Sequence, residues 1–192
     1  MHTPHARLAA PSPWIQRWSH LIPSGASVLD VASGSGRHLH WFAERGCRVT
    51  GVDRDIGNAQ QLLPNARLVQ ADIENGPWPL VNTTDGEPEL FNAVVVTNYL
   101  WRPLMSTLLA SLAPGGVLLF ETFAAGNETV GRPARPDFLL QNGELLHMCR
   151  ELHIVAFENG FLEQPDRFVQ RIAAVRIFTP GAHNATLARY AL

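Results

Sequence analysis

Three acidic residues lie in or at the ends of three strand-like runs, and glycines follow the first run. In "VLDVASGSGRHLHWF", Val28 to Phe42, an apolar run carries Asp30, a turn holds Gly34 and Gly36, and a helical pattern begins at Arg37. Asp53 closes "VTGVD", 17 residues after Gly36, and Asp72 closes "LVQAD". Glycines between a strand and a helix let a ligand come close to the backbone. A carboxylate beneath such a turn repels phosphate and attracts a cation, by roughly 4 kcal/mol at 4 Å with an effective dielectric near 20, before desolvation. The ligand should therefore carry an amine or sulfonium. Asp53 can accept hydrogen bonds from both hydroxyls of a ribose, and Asp72 from the exocyclic amine of an adenine, with Ile73 packed on the ring.

Two phosphate-binding patterns fail on the same residues. A nicotinamide fingerprint G-x-G-x-x-G read from Gly34 needs a third glycine where Leu39 stands, and Arg37 and His38 are large. The phosphate loop G-x-x-x-x-G-K-[ST] needs a Gly-Lys pair, and the chain contains no lysine.

The elements that must hold these residues follow from the pattern. Ser12-Pro13 before "WIQRWSHLI" supplies a hydroxyl cap and a proline at the first helical position, with Trp14, Trp18 and Leu21 on one face. Residues 1–26 then form an N-terminal helical extension over the sheet edge or the mouth of the site. Nearly apolar strands are expected at Ser27 to Val31, Cys47 to Asp53, Ala66 to Asp72, Phe91 to Thr97 and Gly115 to Phe123. Helices fall between them, in "GRHLHWFAERG" with Gly46 as a left-handed cap, from Asp55 to Leu63, and in "RPLMSTLLASL". A further helix lies near "NGELLHMCREL", and "HIVAFENG" and "RFVQRIAAVRIF" are two strands joined by Phe161 to Asp166. So short a link permits only an antiparallel pair. The expected class is α/β: a Rossmann-like doubly wound sandwich, with a mostly parallel seven-stranded sheet ending in an antiparallel hairpin. Residues 1–192 are read as one domain.

Composition narrows the partners. A formal net charge of -2 offers no electrostatic footprint for nucleic acid. Cys47 and Cys149 lack metal-ligand spacing and read as buried thiols in a reducing compartment. The start "MHTPHARLAAPSPW" has no signal-peptide core, and apolar runs such as Phe91 to Val96 are too short to span a bilayer. The expectation is a cytoplasmic protein with no membrane partner.

Taken together, the segments resemble the class I S-adenosylmethionine-dependent methyltransferases. The matching pieces, in order, are "VLDVASGSG", "VTGVD", "VQADI", "FNAVVVTNYLW" and "LAPGGVLLFETF", from Val28 to Phe123, followed by that family's antiparallel end. The resemblance implies S-adenosylmethionine as cofactor. It places Gly34 and Gly36 beside the methionine part, Asp30 beneath the loop near the amino group, Asp53 with its neighbour Arg54 at the ribose, and Asp72 and Ile73 at the adenine. The family commonly has glycine two residues after the first aspartate. Here Ala32 stands there, and its methyl is expected to require a negative φ. A looser likeness, in "GSGRH" and the helix-strand-strand ending, is to the small tellurite-resistance-type methyltransferases.

Methyl transfer from a sulfonium is an in-line displacement in which positioning supplies much of the acceleration, so a base is optional. "TNYLWRP" would lie beside the methyl, with Asn98 touching cofactor and acceptor, Tyr99 offering a hydroxyl and Trp101 an apolar wall. The Asn/Asp-Pro-Pro-Tyr/Phe of enzymes that methylate amino groups of bases and glutamine is absent, both prolines being missing. Glu121 is the third catalytic candidate, as an orienting group or a base. Residues 124–142 form a long loop suited to a substrate lid, with Arg132 and Arg135 either solvated or meeting an anion. The histidines lack metal-site spacing, His38 and His40 lying two apart on a helix, so no metal is expected. The leading function is methylation of a small acceptor, such as a thiol, an oxyanion or a metalloid. RNA or protein methylation and a non-catalytic cofactor-binding regulatory module are the alternatives.

Overall fold

The computed structural model describes residues 9–177 and 189–192. The first eight residues of the expected N-terminal extension, and Phe178 at the end of the expected last strand, lie outside the described residues.

A short helix, α1 (Pro13–Trp18), starts where expected, with the Ser12 side chain accepting from the Trp14 N–H. It is followed by β1 (Ser27–Val31), α2 (Arg37–Ala43), β2 (Arg48–Asp53), α3 (Gly57–Leu62), β3 (Arg67–Gln70) and β4 (Phe91–Thr97). Next come α4 (Met105–Ala110), β5 (Leu112–Phe123), α5 (Glu144–Met148), β6 (His153–Leu162) and β7 (Arg167–Val175). One seven-stranded sheet runs in the order β3-β2-β1-β4-β5-β7-β6. The first five strands are mutually parallel where they pair, and β7 is antiparallel to both β5 and β6. The α/β class, the doubly wound parallel sheet and the terminal hairpin are therefore all present.

Several ends differ from the sequence expectation for local reasons. The helix expected from Asp55 begins at Gly57, because the Asp55 carboxylate accepts the Gly57 N–H in a turn of its own. Strand β3 stops at Gln70, and Asp72 folds into the following turn. Strand β5 starts at Leu112 rather than Gly115 and crosses an irregularity there, with Gly115 at φ +77. The first hairpin strand runs two residues further than expected, to Leu162, and the second starts at Arg167 as expected and ends at Val175, so only Glu163 to Asp166 connect them.

Alternation along the strands builds two core layers. Leu29, Val31, Val94, Val96, Leu118 and Phe120 face one side with Leu108 of α4 and Leu145 of α5. Val28, Ala93, Val95, Val117, Leu119 and Ala173 face the other, with Trp14 and Trp18 of α1 and Phe42 of α2. The two indoles are fully buried, meet edge to face at 5.6 Å, and hold the segment before α1 over that second face.

Candidate active site

The second face changes from apolar to polar at its carboxyl edge. Asp30 follows Val28 on β1 and is 1 % exposed, and among the described residues neither of its oxygens has a hydrogen-bond partner. Above it the chain turns through Gly34 at φ +53 and Gly36 at φ +81 into α2. A Cβ on Gly36 would come within 3.1 Å of the Ala59 Cβ of α3, so the loop sits close against that helix. A Cβ on Gly34 would meet nothing within 4 Å, and this is the open side of the turn.

Ala32 corrects the expectation of a negative φ, since it sits at φ +53. The turn demands the left-handed conformation that the family's glycine adopts without strain, and here an alanine adopts it. Ala32→Gly should accordingly raise stability by about 1 kcal/mol, less the extra chain entropy of glycine. Urea unfolding measures this, and a destabilised variant would show that the alanine methyl contributes packing greater than its strain.

Asp53, half-buried at the end of β2, is tied to the same loop. Its Oδ2 accepts the Gly34 N–H at 2.8 Å, and its Oδ1 accepts the Asp55 N–H at 3.0 Å. Arg54 beside it is exposed, and its carbonyl accepts from Gln70 Nε2 at 2.9 Å. Asp72 is exposed and accepts from the Glu74 N–H, the Asn75 N–H and Asn75 Nδ2 at 3.0 to 3.2 Å. The Asn75 amide, and then the Glu74 N–H, hold its carboxyl below the usual carboxylate range. Ile73, 7 % exposed, belongs to the first core layer.

Beside Asp30 stands His38, buried on α2. Its Nε2 accepts the Ser12 backbone N–H at 3.1 Å, which leaves the ring proton on Nδ1. Nδ1 faces Thr97 Oγ1 at 3.4 Å and Asp30 Oδ2 at 3.9 Å. Burial, with the Arg37 charge acting the same way, lowers the His38 pKa to about 3, so the contact with Asp30 is not an ion pair at neutral pH. Burial raises the Asp30 pKa to about 8, against a lowering by Arg37, and the Asp53 charge adds to the rise. The unliganded protein thus holds a neutral acid at Asp30 up to mild alkalinity.

The two groups act oppositely on stability. Asp30 binds its proton more tightly in the folded chain, so its contribution is present at low pH and is lost as pH rises from the ordinary carboxylate value through about 8. His38 binds its proton less tightly when folded, so its contribution is complete only above the ordinary imidazole value of 6.5. Between pH 6.5 and 8 the contribution of Asp30 therefore acts without opposition from His38. Unfolding free energy of the cofactor-free protein should fall across that window, by up to about 2 kcal/mol, and Asp30→Asn should flatten the fall. A rise with pH in the parent, or an equal fall in the variant, would remove Asp30 as its source.

The acceptor-side candidates separate. Asn98, at φ +55, is exposed at the end of β4, and its backbone N–H bonds the Glu121 carbonyl at 2.9 Å. Tyr99 is half-buried, and its hydroxyl has no hydrogen-bond partner among the described residues. Burial raises its pKa above the usual phenol value, and the Glu74 and Asp72 carboxylates push the same way. Glu121 is 1 % exposed and already engaged: Oε1 accepts from Ser12 Oγ at 3.0 Å and Oε2 from Arg171 at 3.4 Å, with Arg167 at 3.8 Å. The loop 124–142 is tied at its base by Ala125 N–H to Leu140 carbonyl and Leu140 N–H to Phe123 carbonyl. Asn127 within it is buried, bonding Pro133 O and the Phe168 N–H. Arg132 and Arg135 are exposed, and Arg135 pairs with Asp137 at 2.9 Å.

Ser12, His38, Arg167 and Arg171 join the predicted residues here and were not read as site residues from the sequence. Thr97, Glu121, Arg171 and Glu158 lie in register across β4, β5, β7 and β6, on the face of the second core layer. Charges on the inward side of apolar strands were the available signal, because "RFVQRIAAV" and "LLFETF" each place a charge in phase with buried residues. Ser12 appeared only as a helix cap, yet it bonds His38 and Glu121 as well.

A family profile described as a methyltransferase domain matches residues 4–161. The chain belongs to this methyltransferase family. The trans-aconitate 2-methyltransferase of Paracidovorax citrulli (strain AAC00-1) is 35% identical over 109 residues, 52% of this chain and 40% of that protein. The chain thus spans about two fifths of that curated relative's length. Among solved structures, TehB from Haemophilus influenzae superposes with a TM-score of 0.66 at 18% identity, covering 85% of this chain and 61% of TehB. The 1,6-didemethyltoxoflavin-N1-methyltransferase of Burkholderia thailandensis, solved with 1,6-didemethyltoxoflavin and S-adenosylhomocysteine, gives 0.64 at 18%, covering 86% and 77%.

The cofactor of this methyltransferase class is S-adenosylmethionine, and the residues present fit it. A buried carboxylate with both oxygens unpartnered suits a cationic end, and the open side of Gly34 suits a chain lying over the loop. Among the described residues no three His, Cys, Asp or Glu side chains gather to hold a metal, and no helix is long and apolar enough to cross a membrane.

Proposed function

We propose that the chain is an S-adenosylmethionine-dependent methyltransferase that transfers a methyl group to a small-molecule acceptor by in-line displacement. The orphaned carboxylate of Asp30 beneath the Gly34 to Gly36 turn carries this reading, because a buried acid without a partner is costly unless a ligand cation completes it. When bound, the cofactor supplies an activated methyl carbon on a sulfonium. Asp30 then holds the amino group, Ala32, Gly34 and Gly36 shape the loop around the methionine part, Asp53 and Arg54 bind at the ribose, and Asp72 and Ile73 bind at the adenine. Asn98 lies where cofactor and acceptor would meet, and Tyr99 borders the cofactor from the β3 side. Glu121 acts as a positioning residue, since both of its oxygens are already engaged. Loop 124–142 closes over the acceptor from a base that is already fixed. The two free, buried cysteines accord with a reducing, cytoplasmic setting.

Calorimetry with S-adenosylmethionine, S-adenosylhomocysteine and NAD, followed by a radiolabelled-methyl screen over small thiols, oxyanions, RNA and protein extracts, tests the reading. Binding of the two sulfur compounds and labelling of a small molecule are expected. Binding of NAD alone would remove the class, and tight cofactor binding with no transfer to any acceptor would replace the enzyme by a regulatory module.

A further inference from the structure

The polar row beyond Glu121 carries more positive charge than it neutralises. Arg17, Arg167 and Arg171 face two carboxylates, Glu121 and Glu158. Arg171 is well matched: Nε donates to Glu158 at 2.7 Å, Nη1 reaches Glu121 at 3.4 Å, and the guanidinium lies 4.8 Å over the Trp14 ring. Arg17 donates to Glu158 at 3.3 Å from an exposed position. Arg167 has no such match. Its nearest carboxylate oxygen, Glu121 Oε1, is 3.8 Å away and already accepts from Ser12 Oγ at 3.0 Å. Its Nε is buried and has no hydrogen-bond partner among the described residues.

The position of this arginine matters as much as its charge. Arg167 opens β7, which runs antiparallel to β5, so it lies past the Phe123 and Val169 pair at the carboxyl edge of the parallel strands. Contacts from Arg167 to Glu121, Ser12, His38 and Asp30 form a continuous chain along that edge. One end is a buried acid with no hydrogen-bond partner, and the other is a guanidinium whose only carboxylate among the described residues stands at 3.8 Å, beyond hydrogen-bond distance. An ion pair serving only the fold would place the guanidinium within hydrogen-bond distance of its carboxylate, as Arg171 does with Glu158.

We propose that Arg167 anchors the acceptor and that the acceptor is a small carboxylate. This rests on the methyltransferase reading above. A planar guanidinium fork with a free Nε and an Nη matches two carboxylate oxygens side by side, which a neutral thiol cannot exploit. Glu121 keeps the fork in place from beneath without neutralising it, because its oxygens are shared with Ser12 and Arg171. Specificity follows from charge: an uncharged ester of the same acid keeps one carbonyl acceptor but loses the charge and the second strong acceptor that the fork matches.

Calorimetry on the protein saturated with S-adenosylhomocysteine tests this, using as probes a panel of mono-, di- and tricarboxylates that includes trans-aconitate, with their methyl esters and inorganic phosphate alongside. At least one free carboxylate should bind and its ester should not. Arg167→Gln should weaken that binding at least tenfold while S-adenosylhomocysteine affinity stays within twofold of the parent. Arg167→Lys, which keeps charge but loses the fork, should fall between the two, and its melting curve shows that folding is retained. Carboxylate binding that is unchanged in both variants, no carboxylate binding at all, or binding of phosphate in preference to carboxylates overturns the anchor and leaves the methyltransferase reading standing. Failure of the parent to bind S-adenosylhomocysteine overturns that reading, and the anchor with it.

Discussion

Asp53→Ala should weaken S-adenosylhomocysteine binding by at least a hundredfold. The carboxylate spends one acceptor site of each oxygen on the protein itself, on the Gly34 and Asp55 N–H groups. An ionised carboxylate offers about four acceptor sites, so one on each oxygen stays open for the two ribose hydroxyls. Hydrogen bonds to a charged group contribute about 1.5–3 kcal/mol each, and two of them correspond to a hundredfold or more in affinity. The alanine also frees Gly34, so the loop that should cover the methionine part loses its tether from β2. Asp53→Asn keeps one acceptor oxygen and should lose roughly tenfold, one bond's worth. Folding should change little, because the two released N–H groups belong to loop residues that reach water. Isothermal calorimetry measures the affinities. An alanine variant that binds within threefold of the parent would mean that Asp53 is a loop tether and no ribose ligand.

What the sequence made legible here was the part governed by local rules. The strand at Phe91 to Thr97 was expected with those bounds, because the β-branched run Val94 to Thr97 and its neighbours Phe91 and Ala93 have few alternatives, even with Asn92 among them. The hairpin followed from the length of one connection. Asp30 near the end of β1, Asp53 at the end of β2 and Asp72 just after β3 could be placed at one edge because parallel strands must all end there. Ala32 ran against expectation because its methyl disfavours a positive φ, whereas the residue sits at φ +53, and no local signal in the sequence announces that conformation for an alanine. The polar network was invisible for a different reason. Ser12 and Glu121 are 109 residues apart, and Glu121 and Arg171 are 50 apart. No period or spacing links them; only strand register and the burial of α1 bring them together. Tyr99 shows the same limit, since nothing in its sequence position announces that its hydroxyl is buried without a hydrogen-bond partner among the described residues, with burial first and then the Glu74 and Asp72 carboxylates raising its pKa.

Glu121→Ala should lower the stability of the cofactor-free protein by about 3 kcal/mol, the low end for a broken buried ion pair. The carboxylate is 1 % exposed and is the only one within reach of Arg167 among the described residues, whereas Arg171 keeps Glu158 and is not stranded by the change. Arg167 and Arg171 retain some contact with solvent, at 21% and 15% of their side chains, which tempers the loss. For a chain of this size the effect amounts to roughly 6–12 °C in melting temperature. Ser12 would lose the acceptor of its hydroxyl at the same time, which loosens the segment before α1 from β5 while its N–H remains on His38. Glu121→Gln keeps a neutral acceptor for Ser12 but no charge for the arginines, so it should fall between alanine and parent. A structural clamp and a catalytic base predict different patterns. As a base, Glu121→Gln would abolish transfer while leaving stability and cofactor affinity intact. As a clamp, both variants lose stability together, and transfer measured well below the melting temperature falls in step with acceptor affinity. A double-mutant cycle with Arg171→Met completes the case. Coupling of more than about 1 kcal/mol in unfolding free energy is expected, as for other residues in one buried network. Coupling near zero would dissolve the clamp and return Glu121 to the list of candidate bases.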